Sequence, residues 1–190
     1  MSTTDELRPG NAARTEGTVL TPTAARLVAV LRIATGLVFL WAFLDKTFGW
    51  GYATSSEQAW ISGGSPTRGF LSGVDVGPFA ATLRSWAGDA WADWLFMAGL
   101  LGIGVAVTVG VGLRLSAVAG TVMLLLMWAA EWPLDRVTEA GEATRSANPV
   151  IDYHLLYALV LIVLAAVYAG HTWGFGRRWS ELAGHNRWLL

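Results

Sequence analysis

Residues 148–170 read NPVIDYHLLYALVLIVLAAVYAG. Asn148 is a capping residue type, and Pro149 suits a first helical position because its missing N–H would have no intrahelical acceptor there. The stretch sets Asp152, Tyr153 and His154 in the first turns, then stays apolar from Leu155 to Ala169 except for Tyr157 and Tyr168. A helix from 149 to 170 would be roughly 33 Å long at about 1.5 Å per residue, enough for a hydrocarbon core of about 30 Å. The expectation is a transmembrane helix over about 149–171 with three polar side chains at one mouth.

Composition supports that reading. Hydrophobic residues make up 54% of the 190-residue chain and charged residues 14%, with a mean hydropathy of +0.46. Soluble domains carry nearer 25% charged residues. The length suits one domain, and a net charge of −1 offers no electrostatic case for nucleic acid as partner. With no cysteine, disulfides, thiolate metal sites and dithiol redox chemistry are excluded, so any electron transfer requires a bound or borrowed cofactor. Residues 1–23, MSTTDELRPGNAARTEGTVLTPT, lack the apolar core and cleavage site of a secretory signal and read as a disordered tail.

The remaining apolar runs place three more spans, at about 24–46, 94–113 and 115–134. Only Arg114 separates the second from the third, which forces an antiparallel hairpin. Arg26 can snorkel, whereas Arg32 lies about 9 Å further along the helix and needs a partner or a wet cavity. The fold expected is an all-α membrane protein, a four-transmembrane-helix bundle over 24–174, with a cytoplasmic tail at 175–190. Four spans put both termini on one side. That side carries Arg8, Arg14, Arg26, Arg114, Arg177, Arg178 and Arg187, against Lys46, Arg68, Arg84, Arg136 and Arg145 on the other, where ten of the fourteen acids fall. The positive-inside rule then places both termini in the cytoplasm of a bacterial plasma membrane.

Within the outer loop, 47–93, Phe79, Leu83, Trp86, Ala90 and Trp94 recur at helical steps and predict an amphipathic helix on the interface. Residues 135–147 read as a polar, helix-compatible, exposed connector. Ala98, Gly102, Ala106 and Gly110 form a small-residue stripe that would let another helix approach closely.

On this topology Asp45 and Lys46, Trp128, Glu131 and Trp132, and Asp152, Tyr153 and His154 stand at one level. Ionisable groups at a membrane boundary are costly unless paired, which makes the set a candidate site. Each could equally end its helix in the headgroup region, with the tryptophans as an interfacial belt. As a site, His154 would exchange protons, Asp152 or Glu131 would orient it or relay them, and Lys46 would hold an anion or polarise a carbonyl. Trp41, Trp128, Trp132 and Tyr153 would bind a flat ring, and an amphipathic quinone suits such a place. His154 and His171 are about 25 Å apart on one helix and cannot share a haem or metal, so neither is expected.

LRIATGLVFLWAFLDKTFG in the first span, WISGGSPTRGFL in the loop and NPVIDYHLLYALVLI in the fourth resemble the DoxX/DoxD family of four-helix membrane proteins. The loop phrase is most similar to the DoxD membrane subunit of thiosulfate:quinone oxidoreductase. The resemblance implies a quinone-linked oxidoreductase subunit taking electrons from thiosulfate or another small sulfur donor, with a partner subunit or a homo-oligomer around it. The alternative is a non-catalytic accessory or scaffold protein for an extracytoplasmic redox or membrane complex.

Overall fold

A computed structural model describes residues 20–144, 146–184, 186 and 188. The N-terminal segment 1–19, Arg145, His185 and Arg187 therefore lie outside the described residues. Among the described residues the regular elements are helices, and three of them are long and apolar enough to cross a membrane.

Helix α1 spans Pro22–Phe48, capped by the Thr21 hydroxyl, which accepts from the Ala24 N–H, and closed by left-handed Gly49. Short helices α2 (Arg68–Leu71) and α3 (Ala80–Ser85) lie in the long loop. Helices α4 (Ala90–Val109) and α5 (Leu113–Glu131) form the hairpin, turning at Gly110 and Gly112, both of which have positive φ. Helix α6 runs Tyr153–Ala166, a 3₁₀ turn covers Ala169–His171, and α7 covers Gly176–Ala183 inside the expected tail.

Helix α1 packs chiefly on α4, and α5 on α6. Phe39, Met97, Leu100, Ile103, Val107, Leu124, Leu161 and Leu164 form the shared core. The opposite faces carry exposed Leu27, Leu95, Leu115, Val118, Leu156 and Leu159. Helices apolar on every side suit a lipid surround, because hydrocarbon imposes no penalty on the outward face. These faces give the protein its contact with the bilayer.

Four sequence expectations need correction. The fourth helix begins at Tyr153, because the Asp152 carboxylate accepts from the Leu155 N–H at 3.1 Å and caps it. The Asn148 side chain instead accepts from Val150 and Ile151 at 2.9 and 3.0 Å, closing a turn in the preceding loop. The helix expected over 79–94 is broken: α3 ends at Ser85, Gly88 adopts φ 85°, and α4 starts anew at Ala90. The 135–147 connector is a small hairpin, with Val137 bridging Ala143 around Gly141. Of the 98/102/106/110 stripe, Ala98 and Gly102 are exposed and only Gly110 makes a tight contact, against Gly170 and Arg32. Close approach falls to Gly36 against Thr108 and Gly104 against Leu40, where an added Cβ would come within 3 Å of the backbone of the partner helix.

Candidate functional site

The mouth of the α5–α6 pair is built by two helix ends. Helix α5 stops at Trp132, whose left-handed backbone (φ 30°) donates its N–H to the Trp128 carbonyl, with Pro133 preventing continuation. Glu131 is thus the last helical residue, and α6 starts opposite it. The Asp152 carboxylate serves two partners: one oxygen caps α6, and the other lies 2.8 Å from His154 Nδ1. Glu131 accepts a 2.7 Å hydrogen bond from the Tyr153 hydroxyl, and its second oxygen lies 3.9 Å from the same Nδ1.

His154 is 0% exposed, whereas the Glu131 side chain is 39% exposed, so the group runs from solvent to the bundle interior. Among the described residues, His154 Nε2 has no hydrogen-bond partner. A cleft of about 670 Å³ opens beside the group. Its walls include Phe70, Val74, Val76, Pro133 and Ile151, with Glu131, Asp152, Tyr153 and Asp75 as its acidic and hydroxyl edge.

Of the eight residues singled out in the sequence, four come together here: Glu131, Asp152, Tyr153 and His154. Trp128 and Trp132 stand alongside with ring centroids 5.3 Å apart, but neither lines the cleft. The Trp128 indole donates to the Val150 carbonyl at 3.2 Å, and Trp132 packs on Phe79 and over Gly77. They brace the loops around the mouth. Lys46 lies over the Phe96 ring at 5.9 Å, and Trp41 clusters with Trp50 and Tyr52. Beside them the buried Asp45 carboxylate accepts from the Tyr52 and Ala53 amides at 3.3 and 2.9 Å. That second group belongs to the end of α1 and does not line the cleft.

No protein-family model, curated protein or solved structure matches this chain. The resemblance noted in the sequence therefore rests on its motifs, and the structure gives the loop motif a local role. Asp93, buried in the first turn of α4, accepts from Ser65 Oγ (2.9 Å), Thr67 N–H (2.9 Å) and Thr67 Oγ1 (2.6 Å). Gly64 is required because a Cβ there would lie 2.0 Å from the Gln58 carbonyl oxygen. GGSPT is thus a clamp holding the long loop onto α4. Asp93→Ala would strand two Thr67 donors and should cost about 3 kcal/mol. Hydrogen exchange at the Thr67 amide should accelerate; unchanged protection would refute the clamp.

Sequence reasoning missed one property of the mouth. Ligand atoms of Glu131, Asp152 and His154 all lie within 4.8 Å of one another, a spacing able to hold a metal ion. The signal was hidden because the donors come from two helix ends and a cap, with no fixed interval between them. Reading the spans as antiparallel put the three groups at one level, but convergence of their atoms did not follow from it.

Proposed function

We propose that the chain is a membrane-embedded subunit of a quinone-linked oxidoreductase, similar in kind to DoxX/DoxD proteins, and that the α5–α6 mouth is its proton-exchanging quinone site. The observation that carries this reading is two hydrogen-bonded pairs, exposed Tyr153 with Glu131 and wholly buried His154 with Asp152, with Glu131 3.9 Å from the His154 ring and a cleft beside them whose lining includes Glu131, Asp152 and Tyr153. These residues fit a quinone: Phe70, Val74 and Ile151 offer apolar wall to a ring and tail, and Tyr153 and Glu131 offer a donor and an acceptor at the polar edge. Such a cofactor supplies a carrier for two electrons and two protons. The chain's own part is to hold and move protons: Glu131 exchanges with water, Tyr153 bridges to it, and Asp152 fixes the His154 ring.

The described lining of the cleft contains Asp75, Glu131 and Asp152 and neither Lys nor Arg. An anionic sulfur donor such as thiosulfate meets repulsion there, so in this reading a partner subunit oxidises the donor and this chain serves the quinone side. Helix α6, at 14 residues, is about 21 Å long and acts as a fourth crossing together with the turns that flank it. Both termini face the cytoplasm of a bacterial plasma membrane, with the mouth outside.

In proteoliposomes holding the chain and its partner, thiosulfate should reduce a soluble quinone, and His154→Ala should slow that reduction at least about 100-fold. Full turnover in the variant, together with no quinone recovered on solvent extraction, would sink the reading. A scaffold role draws on the outer loop, where Tyr52 is 76% and Ile61 67% exposed. It would gain if replacing residues 55–75 by a plain linker released a stable partner while quinone chemistry never appeared.

A further inference from the structure

We infer that Glu131, Asp152 and His154 form a binding site for a divalent transition-metal ion. The inference goes beyond the quinone reading and does not depend on it. Its basis is the donor set and how each donor is held. His154 Nδ1 is fixed by complete burial of the ring, and Asp152 Oδ2 is fixed because its sister oxygen caps α6. Glu131 Oε2 is the adjustable member, on a side chain exposed at the helix end and steadied through Oε1 by the Tyr153 hydroxyl.

Ligand atoms bound at about 2.1 Å in a tetrahedral shell stand about 3.4 Å apart. The observed separations from Nδ1, 2.8 Å to Asp152 and 3.9 Å to Glu131, bracket that value. Binding would draw Glu131 inward and part Asp152 from the His154 ring by about half an ångström. One imidazole nitrogen with two carboxylate oxygens suits Zn²⁺, Mn²⁺ or Fe²⁺ better than a soft monovalent ion. The cleft gives the open side on which water completes the shell, and Asp75 adds a further negative charge at its wall. The Tyr153 hydroxyl acts from outside the shell, orienting the Glu131 carboxylate as hydrogen-bond partners of metal ligands do.

A bound ion occupies the lone pairs that the proton route needs, so it should also inhibit that route. The test uses the full chain in lipid nanodiscs, stripped with chelator and titrated with Zn²⁺ by calorimetry and with Co²⁺ followed by its visible absorption. One equivalent should bind, with a Co²⁺ spectrum of low coordination number. Glu131→Gln, at an exposed position that leaves the fold intact, should weaken binding at least about tenfold, and Tyr153→Phe should weaken it by about tenfold through the orientation of Glu131. His154→Ala should abolish the Co²⁺ spectrum, with circular dichroism confirming the helices. Absence of stoichiometric binding, or unaltered affinity in Glu131→Gln, would overturn the proposal. Ion binding without quinone reduction would count against the quinone reading alone; quinone reduction without ion binding would count against this site alone.

Discussion

Replacing Arg32 with alanine is expected to remove at least about 3 kcal/mol of stability, the largest loss from any single side chain in the bundle. Arg32 lies in the interior of α1 and is 0% exposed. Its guanidinium donates to the carbonyls of Val107 (2.7 Å), Thr108 and Trp173 (2.9 Å). Two of those carbonyls belong to the last turn of α4, whose end leaves C=O groups without intrahelical partners and carries the negative pole of the helix. The third follows the 3₁₀ turn after α6. One planar fork thus satisfies the ends of two elements inside an apolar bundle, where unpaired carbonyls are most costly. Lysine carries the charge without the fork and should recover only part of the loss. Denaturation in mixed detergent micelles, followed by circular dichroism, measures it. An alanine variant as stable as the parent would show that the fork holds nothing together.

Gly170→Val should be almost as damaging, at about 3 kcal/mol or more, for a reason of space rather than charge. A Cβ on Gly170 would lie 2.1 Å from the Gly110 carbonyl oxygen and 3.2 Å from Gly110 Cα. Both obstacles are backbone, so no side chain can swing aside. Gly110 is itself fixed at φ 79° as the closing residue of α4, and a Cβ there would meet Arg32. Relief therefore requires parting the 169–171 turn from α4, which would also pull Trp173 from Arg32. The two substitutions should be less than additive for that reason. Thermal unfolding in detergent, read by tryptophan fluorescence, tests this; an unshifted transition in Gly170→Val would reject the close packing.

The three long helices were legible because runs of eighteen or more apolar residues have few other fates. Their ends were less so. Around α6 the sequence offers two capping residues, Asn148 and Asp152, four apart. Asp152 starts the helix because its carboxylate reaches Leu155, while Asn148 is engaged by Val150 and Ile151 in the turn. The apolar steps from Phe79 to Trp94 continue across Gly88 as if nothing intervened, yet the positive φ there ends one helix before the next begins. Periodicity records which residues want burial, and it is blind to a single backbone reversal. The mouth shows a related limit. Topology puts Lys46, Glu131 and His154 at one height along the bundle, but height says nothing of position around it. Lys46 faces Phe96 of α4, on the other helix pair.

The two ends of α5 and α6 are fastened differently. At one, Arg114 of α5 donates to the hydroxyl of Tyr168, just past α6, at 2.8 Å, and the turn that follows α6 meets the end of α4 backbone to backbone at Gly170 and Gly110. At the other, the described contacts run through side chains, Tyr153 and His154 with Glu131 and the Trp128 indole with the Val150 carbonyl. Mechanically this is a pair of tongs with a fixed pivot. Helix α5, 19 residues long, is a lever of about 28 Å, so each degree of splay moves the tips by about 0.5 Å. The 3.9 Å gap between Glu131 and His154 would reach a ligand spacing of about 3.4 Å with about one degree of closure.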